Sequence, residues 1–300
     1  MSEDIANLKI DLHCHTNCSD GDDTPFDLIR NASLKEIKVI GLSDHDNVKA
    51  LDIAYEATRQ FDVKLVAAIE ISTPKKIHIQ GLGIDPQNEA LQELIVSQKK
   101  KRSDSLMKID EALRVQKKVV GAYEATKKMF DGEATINKFS ICKYLSGSSY
   151  PEFAGRNPSE LYRELFDGDK KIGRFSVEWC SMEEAVSCIK QAGGIPVLAH
   201  IWRYFAPDHG NTEDMRREKM TDLVERFVKC GGEAMEVLGS SMENDFERNY
   251  PAELALKYDL YASCGSDYHG KKTVSFGEFF KLDSRLKPVW EHPAFRFYRK

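Results

Sequence analysis

Short apolar runs alternate with segments of helical periodicity along most of the chain. Seven of these runs have the length and composition of buried strands: the run that ends at His13, and residues 38–42, 64–69, 77–84, 195–199, 234–238 and 260–264. The segments between them repeat apolar residues every three or four positions, which is the spacing of one helix face. Strands that alternate with helices in this way predict an α/β fold with a mainly parallel sheet.

Ionisable residues collect at the ends of these runs. Six of the seven runs carry a histidine, aspartate or glutamate cluster, five of them at the carboxyl end, and His78 stands at the start of its run. In β/α barrels the catalytic groups collect at the carboxyl edge of the strands. A doubly wound open sheet has the same alternation, but no Gly-x-Gly-x-x-Gly motif follows the first strand. The pattern therefore predicts a seven-stranded (β/α) barrel.

Residues 87–176 follow a different pattern. Residues 89–115, 117–130 and 136–145 have the composition of helices, and no strand pattern occurs among them. A loop rich in serine and glycine follows at residues 146–151. We predict that residues 1–86 and 177–300 form the barrel and that residues 87–176 are a helical insertion between two of its strands.

Composition narrows the class of protein. The 41% hydrophobic and 30% charged residues are typical of a soluble globular chain, and we identify no secretory signal and no membrane span. The net charge of −5 gives no general attraction to nucleic acid or anionic lipid. The seven cysteines form no C-x-x-C pair, so we expect reduced thiols and a cytoplasmic location. Nothing in the sequence indicates an obligate protein partner.

The ionisable residues at the strand ends could all act as ligands of metal ions. Alternate residues of an extended strand face the same side, so His13 and His15 point together and Cys14 points away. A His-x-His pair alone is more often a surface feature, but six of the eight histidines lie at strand ends. Imidazoles this close together repel one another once protonated, and metal ions remove that conflict. The candidate ligands of a multinuclear metal site are His13, His15, Asp20, His45, Glu70, His78, His200, Asp267 and His269.

These motifs, in this order, resemble the PHP (polymerase and histidinol phosphatase) family of metal-dependent phosphoesterases. The resemblance extends over essentially the whole chain and rests on H-x-H with the trailing Asp20, D-H-D at residues 44–46, Glu70 in E-I-S, His78 before G-L-G-I-D, A-H at residues 199–200 and S-D-Y-H at residues 266–269. The branch that it resembles most acts on nucleotides, either as 3′,5′-nucleotide bisphosphate phosphatases or as enzymes that trim RNA 5′ ends. That resemblance implies a distorted seven-stranded barrel with a small helical domain inserted after the fourth strand.

The resemblance also implies three divalent metal ions. Mixed nitrogen and oxygen ligands without sulfur suit manganese, iron or zinc. The implied ligand sets are His13, His15, Glu70 and Asp267 for the first ion, Asp20, His45 and His269 for the second, and Glu70, His78 and His200 for the third. A metal-bridging water would attack the phosphorus in line.

Two carboxylates flank His45 and are candidates for a supporting role in catalysis. Asp44 and Asp46 could orient imidazoles or relay a proton. For Asp46, a carboxylate in the first turn of a helix is an equally good interpretation.

Arg203 is a candidate phosphate contact on the barrel. It follows His200 by three residues, and a guanidinium binds phosphate oxygens through paired N–H donors. Members of the family usually have Pro and Gly before this arginine, where the present chain has Ile201 and Trp202. The loop is therefore expected to have a different shape.

The insertion supplies three further candidate substrate contacts, Lys138, Ser140 and Arg102. Lys138-Phe139-Ser140 stands where relatives often have Arg-x-His, and a lysine meets a phosphate as a point charge. Arg102 ends a basic run at residues 99–102, which is either a solvated helix face or an electrostatic guide for a phosphorylated substrate. The aromatic residues of the insertion either stack on a base or pack its own core: Phe130, Phe139, Tyr144 and Tyr150.

The predicted activity is hydrolysis of a phosphomonoester of a small nucleotide. The preferred substrate is a nucleoside 3′,5′-bisphosphate, held between the metal-binding barrel and the insertion, which would act as a lid. One alternative keeps the chemistry and changes the substrate to RNA 5′ ends. Another is a metal-bound module without turnover, although no ligand of the family pattern is missing.

Overall fold

The computed structural model describes residues 5–130, 135–166, 172, 175–207, 210–270, 276–278 and 280–300. Parts of the predicted insertion, residues 131–134, 167–171 and 173–174, lie outside this range. The described residues form one sheet of eight strands in chain order. The strands are β1 (Ile10–Cys14), β2 (Val39–Leu42), β3 (Lys64–Ser72), β4 (His78–Leu82), β5 (Ile195–Leu198), β6 (Ala234–Gly239), β7 (Tyr261–Gly265) and β8 (Lys287–Pro288).

All seven predicted strands form, but one runs against the others. Strand β4 pairs antiparallel with β3 and with β5, while every other neighbouring pair is parallel. The cause is the connection between β3 and β4, which is too short for the crossover that a parallel pair needs. The reversal has a consequence for the site, because the first residue of β4, His78, lies at the same edge as the carboxyl ends of the parallel strands.

The prediction of seven strands is wrong by one. Strand β8 adds two parallel pairs to β7, Tyr261 with Lys287 and Ala262 with Pro288. A two-residue strand that contains a lysine and a proline has no apolar run, so no periodicity could reveal it.

The sheet curls until its first strand approaches its seventh. The backbone N–H of Asp267 donates to the carbonyl of His13, and that of His15 donates to the carbonyl of Tyr268, both at 2.9 Å. Gly265 permits this approach, because a Cβ at that position would lie 2.3 Å from Cβ of His13. The result is an α/β fold with a half-barrel sheet.

Helices cover the outside of the sheet, and further helices lie in the connection between β4 and β5. Thr24 caps α1 with Pro25 in its first turn, and Ser181 forms a capping box with Glu184 at the start of α7. The described helices are α1 (Pro25–Leu34), α2 (Ala50–Thr58), α3 (Glu89–Lys117), α4 (Ala122–Met129), α5 (Lys138–Gly147), α6 (Pro158–Phe166), α7 (Met182–Gln191), α8 (Ile201–Tyr204), α9 (Glu213–Lys229) and α10 (Asp245–Lys257).

Buried apolar residues form three clusters. The main cluster lies between the sheet and the outer helices and includes Ile69 and Phe227. A second cluster fills the concave face of the sheet and includes Val66 of β3 and Ala234 of β6. The third cluster belongs to α3–α6 and is built around Phe153. Among the described residues no helix combines the length and apolar character needed to cross a membrane.

Candidate metal centre

The nine candidate ligands meet at one edge of the curled sheet. Strand alternation places Glu70 on the concave face, because Val66 and Ala68 of the same strand pack in the concave cluster. His13 lies within β1, and the other candidates stand at strand ends or in the loops that follow: His15, Asp20, His45, His78, His200, Asp267 and His269.

The first implied ligand set is closely assembled. His13 Nε2 lies 3.1 Å from His15 Nε2. Each of these two nitrogens lies 3.3 Å from Glu70 Oε2. Asp267 Oδ1 is 3.6 Å from the nitrogen of His13 and 3.2 Å from that of His15.

The second implied set surrounds Asp20. Its carboxylate oxygens lie 3.3 Å from His269 Nε2 and 3.7 Å from His45 Nε2. His15 Nδ1 is also near, at 3.9 Å. Asn137, at the start of α5, donates a hydrogen bond of 3.0 Å to Asp20, so the helical segment after β4 reaches this group directly.

The third implied set converges on a single oxygen of Glu70. His78 Nδ1 and His200 Nε2 each lie 2.8 Å from Glu70 Oε1. His45 Nδ1 lies 3.1 Å from the other oxygen, Oε2. Glu70 therefore stands between the implied sets and could bridge two ions.

The donor atoms fit divalent metal ions. Ligands bound at 2.0–2.2 Å from one ion are separated from each other by about 3.0–3.6 Å, which is close to the separations above. Among the residues that the structure describes, six buried side-chain atoms of the cluster also lack a hydrogen-bond partner: His15 Nδ1, Asp20 Oδ1, His45 Nδ1, Glu70 Oε2, His78 Nδ1 and His200 Nδ1. Buried polar atoms are rarely left without a partner, and bound ions would supply one.

Proximity alone groups the ligands somewhat differently from the family pattern. Three sets have donor atoms within 4.8 Å of one another: His15, Asp20, His45 and His269; His13, Glu70, His200 and Asp267; and His45, Glu70 and His78. His15 and His200 thus lie close enough to serve either of two neighbouring ions. The assignment of each ligand to one ion stays a prediction.

Burial keeps two of the imidazoles neutral. Removal from water disfavours the imidazolium and lowers the pKa of His45 to about 3 and that of His200 to about 4. Neutral imidazole is the form that binds a metal ion.

Two carboxylates of the cluster stay ionised in spite of burial. Burial opposes the charge on Glu70, but His78, His45 and His13 hold its pKa well below the usual range. Burial likewise opposes the charge on Asp20, whose pKa is held well below the usual range by His45 and His269. Ionised carboxylates and the neutral imidazoles of His45 and His200 are the forms that bind metal ions.

Glu236 is a site residue that the sequence analysis missed. Its two oxygens accept hydrogen bonds of 2.6 Å from His13 Nδ1 and from the backbone N–H of His200. Burial by itself lowers the pKa of His13, but Glu236 and Glu70 raise it to about 10. A carboxylate behind a metal-binding imidazole fixes its orientation. The sequence does contain a signal for Glu236. It is a charged residue within an apolar strand, and such a residue is rarely buried without a partner.

Asp44 holds the loop that carries Asp20. Its carboxylate accepts hydrogen bonds from the N–H of Thr16 at 2.8 Å, from the Thr16 hydroxyl at 2.6 Å and from the Ser19 hydroxyl at 2.5 Å. Burial raises the pKa of Asp44 above its usual value. The geometry supports a positioning role for this residue.

Asp46 joins β3 to α3. It accepts hydrogen bonds from the N–H of Ser72 at 3.0 Å and from the Ser72 hydroxyl at 2.8 Å, and it pairs with Arg102. Arg102 lies 4.6 Å from the centre of the Trp179 ring, and its side chain is only 11% exposed. This arginine, predicted to bind substrate, is thus already engaged by a carboxylate and an aromatic ring.

The other predicted substrate contacts fall in different places. Arg203 pairs with Asp267 and keeps 47% of its side chain exposed. Lys138 lines a cavity beside the candidate ligands. Ser140 is buried, and its hydroxyl accepts a hydrogen bond of 3.1 Å from the N–H of Asn137 in the capping box of α5. Ser140 therefore takes part in the cap of α5, and its contact with substrate stays a prediction.

Two adjoining spaces lie above the cluster. The inner pocket has a volume of about 240 Å³ and is lined by six candidate ligands together with Lys76, Arg203 and Tyr204. The outer cavity has a volume of about 850 Å³. The two spaces share the wall formed by His45, Lys76 and His78.

The outer cavity lies between the sheet and the helical segment that follows β4. Arg102 of α3 and Phe139 of α5 line it, together with Tyr162 and Trp179. Of the four aromatic residues proposed to stack on a base or to pack a core, Phe139 lines the cavity, whereas Phe130, Tyr144 and Tyr150 pack against the third cluster.

Comparison with known proteins agrees with the resemblance seen in the sequence. The PHP domain family model matches residues 11–230. A 5′-3′ exoribonuclease from Haemophilus influenzae is 29% identical over 94% of this chain and 98% of its own length. A 3′,5′-nucleoside bisphosphate phosphatase from Chromobacterium violaceum is 29% identical over 97% of this chain and 98% of its own length.

A solved structure extends the similarity to the fold. It is that of an amidohydrolase from Chromobacterium violaceum with bound sulfate and no metal, which is 29% identical with a TM-score of 0.80 and covers 94% of this chain and 95% of its own. Hydrolysis of phosphoester bonds is the reaction named for both sequence relatives. The predicted family and reaction class are therefore confirmed. The chain belongs to the PHP family of metal-dependent phosphoester hydrolases.

Proposed function

We propose that the protein is a phosphatase that removes one phosphate from a small nucleotide, with a nucleoside 3′,5′-bisphosphate as the preferred substrate. The observation that best supports this is the pair of adjoining spaces. A phosphate in the inner pocket of about 240 Å³ would lie against the ligand cluster, and the outer cavity of about 850 Å³ has the size of a small-molecule site. The relative from Chromobacterium violaceum bears the name of this activity.

Three divalent metal ions, manganese, iron or zinc, are the cofactors that we propose. The ligands would be the nine residues His13, His15, Asp20, His45, Glu70, His78, His200, Asp267 and His269. When bound, such ions supply Lewis acidity toward phosphoryl oxygens and a nucleophile at neutral pH.

The protein's own residues orient these ligands and receive the phosphate. Glu236 fixes the ring of His13 and the backbone at His200. Arg203 lies on the wall of the inner pocket beside Asp267 with half of its side chain exposed, so its guanidinium can turn toward a phosphate oxygen. Asp44 and Asp46 hold the chain on either side of His45 and act as positioning groups.

We also propose that residues 87–176 form a helical domain that covers the substrate. The support is that α3–α6 have a buried cluster of their own, and that α3 and α5 line the outer cavity through Arg102, Lys138 and Phe139. Residues 1–86 and 177–300 would then form the metal-binding half-barrel. In this arrangement the helical domain excludes water from the bound nucleotide.

The test is release of phosphate from adenosine 3′,5′-bisphosphate by purified protein supplied with Mn²⁺. We expect turnover by the wild-type protein and its loss in His13→Ala and Asp267→Ala. The matched control is His292→Gln, because His292 lies beside Glu233 and Tyr261 and should leave turnover unchanged. Turnover that survives both ligand substitutions would contradict the mechanism.

A second candidate is trimming of RNA from its 5′ end. The relative from Haemophilus influenzae carries the name of that activity, and the basic run at residues 99–102 lies on α3, which lines the outer cavity. A 5′-phosphorylated oligonucleotide separates the two proposals. Stepwise shortening favours the exoribonuclease, whereas an intact oligonucleotide under conditions that cleave the bisphosphate favours the phosphatase.

A metal-bound module without turnover is the remaining alternative. Metal analysis that finds bound ions, combined with no hydrolysis of the bisphosphate or of the oligonucleotide, would support it. The complete set of nine candidate ligands at one edge argues for the enzyme.

We propose a cytoplasmic location for this activity. All seven cysteines are free thiols, as is usual for proteins in a reducing compartment. The partner that we propose is the phosphorylated nucleotide alone.

A further inference from the structure

A short turn between β3 and β4 carries two consecutive lysines into the entrance of the site. The lysine turn (residues 73–77) begins three residues after Glu70 and ends directly before His78, so candidate metal ligands flank it on both sides. Lys75 and Lys76 are both exposed. Their charges therefore stand beside the ligand cluster but in contact with solvent.

The backbone of the lysine turn is unusual for these residues. Lys75 has φ of 64° and Lys76 has φ of 61°, a conformation that side chains with a Cβ rarely adopt. Glycine would fit both positions without strain. Residues held in sparsely populated backbone conformations are common at functional sites, and the lysine turn stands at the entrance of this one.

Hydrogen bonds fix the lysine turn at its base. The N–H of Thr73 donates to the carbonyl of Ile77 at 2.9 Å, and the Thr73 hydroxyl donates to the same carbonyl at 2.7 Å. Thr73 and Ile77 are buried, in contrast to the lysines between them. The turn therefore presents the two lysines from a rigid support.

Lys76 stands where the two spaces meet. It lines the inner pocket with Arg203 and the candidate ligands, and it also lines the outer cavity. Lys75 lines the outer cavity beside it. A substrate whose reacting phosphate lies in the inner pocket would pass the lysine turn on its way into the outer cavity.

The charges of the outer cavity favour an anion near the lysine turn. The cationic residues that line it are Lys75, Lys76, Arg102 and Lys138, and the acidic ones are Asp20 and Glu178. Arg102 is engaged by Asp46, and Asp20 faces His45 and His269. Four cationic residues against two acidic ones make this wall net positive, and the two lysines of the turn supply two of the four cations.

We propose that Lys75 and Lys76 bind the second phosphate of the substrate, the one that is not hydrolysed. This inference rests on the proposed function and defines the substrate class as a nucleotide with two separate phosphates. An ammonium group meets a phosphate as a point charge, so the two lysines hold this group without the fixed geometry of an arginine fork. The lysine turn thereby selects two-phosphate substrates over nucleoside monophosphates.

The test compares the wild-type protein with the double variant K75G/K76G. Glycine keeps the left-handed backbone and removes both charges. The substrates are adenosine 3′,5′-bisphosphate and whichever of adenosine 3′-monophosphate and 5′-monophosphate the wild-type protein hydrolyses. We expect KM for the bisphosphate to rise about tenfold or more, as the loss of charge-assisted contacts implies. We expect a much smaller rise in KM for the monophosphate, since Lys76 also lines the inner pocket, so the preference for the bisphosphate over the monophosphate should fall.

Two control variants separate charge from backbone. Lys118→Gly removes an exposed lysine with φ of 58° at the end of α3, and it should leave both substrates unaffected. K75R/K76R keeps the charges and should recover most of the affinity for the bisphosphate. An unchanged KM for the bisphosphate in K75G/K76G overturns the inference, as does an equal rise for both substrates.

Failure of the proposed function would look different. If the wild-type protein hydrolyses neither the bisphosphate nor a monophosphate, both the proposed phosphatase function and this inference are rejected. If the wild-type protein hydrolyses the bisphosphate and the glycine variant does so with the same KM, only the inference about the lysine turn is rejected.

Discussion

Glu236 of β6 holds two of the candidate metal ligands in position. Its carboxylate touches two candidate ligands of different strands, the ring of His13 and the backbone of His200. We expect Glu236→Gln to lower metal affinity or activity by about 10- to 100-fold, as loss of such supporting groups commonly does. Metal content after dialysis and phosphate release at saturating Mn²⁺ measure the two effects.

A neighbouring glutamate provides the control for Glu236→Gln. Glu233 precedes β6 and contacts Lys190 and His292, at 2.8 and 3.5 Å. The variant Glu233→Gln should bind metal and release phosphate as the wild type does. Equal behaviour of the two variants would argue against a positioning role for Glu236.

Gly265 offers a second test at the scale of one residue. A Cβ at this position would lie 2.3 Å from Cβ of His13 and 2.7 Å from its backbone nitrogen. Gly265→Ala must therefore push β7 away from β1, and overpacking of this kind costs about 1–3 kcal/mol. Urea unfolding measures the loss of stability, and metal content should fall because His13 moves.

The matched control for Gly265→Ala lies in α5. A Cβ at Gly147 would meet no atom within 4 Å, so Gly147→Ala should keep both stability and metal content. Loss of metal in that variant too would show that Gly265→Ala does not act through His13.

The candidate ligands could be recognised in the sequence more readily than the residues that hold them in position. His13, Glu70 and Asp267 stand in recognisable motifs, and the fold brings them together as the resemblance implied. Glu236 stands in no such motif, because its role depends on a contact with His13 across 223 residues of chain. The capping box that Ser140 forms with Asn137 was likewise not foreseen from its place in sequence.

At the scale of elements, the attachment of α3 to β3 depends on a buried ion pair. Asp46 is 1% exposed and Arg102 is 11% exposed, and Gln98 of the same helix donates to the carbonyl of Ser72 at 2.7 Å. Asp46→Asn leaves the arginine without its counter-charge. Breaking one side of such a pair costs about 3 kcal/mol, so the unfolding midpoint in urea should fall.

An exposed ion pair on the same helix serves as the comparison. Arg114 and Glu111 pair at 2.6 Å, with both side chains more than half exposed. Glu111→Gln should leave the unfolding midpoint unchanged, since such surface pairs contribute little. A midpoint in Asp46→Asn equal to that of Glu111→Gln would mean that the pair with Arg102 does not hold α3 in place.

The same scale shows what periodicity could and could not predict. The apolar runs located seven strands, because each buries at least one face. The direction of β4 depends instead on the length of the connection before it, and the two-residue β8 depends on pairing with Tyr261 and Ala262. Neither property leaves a periodic signal in the sequence.

At the scale of the whole molecule, different clusters of buried residues support different parts of the candidate site. The main cluster and the concave cluster support the strands that carry the candidate ligands. The third cluster supports α3–α6, whose residues Lys138 and Phe139 line the outer cavity. Damage to the third cluster should therefore change substrate affinity, and damage to the main cluster should change metal binding.

Two buried phenylalanines make this division testable. Phe153 is 1% exposed in the third cluster, and Phe227 is 0% exposed in the main cluster. Replacement of either by alanine removes a similar volume and costs about 3–5 kcal/mol. We expect Phe153→Ala to raise KM for adenosine 3′,5′-bisphosphate while the metal content stays at the wild-type level, because the wall of the outer cavity loosens.

Phe227→Ala should give the opposite result. Its cavity opens beneath the strands that place the ligands, so metal content should fall together with stability while substrate affinity per metal-loaded molecule is kept. Metal analysis and steady-state kinetics on the same preparations distinguish the two variants. If both variants lost metal to the same extent, residues 87–176 would be part of one cooperative unit with the half-barrel, and the proposal of a separate domain over the substrate would be rejected.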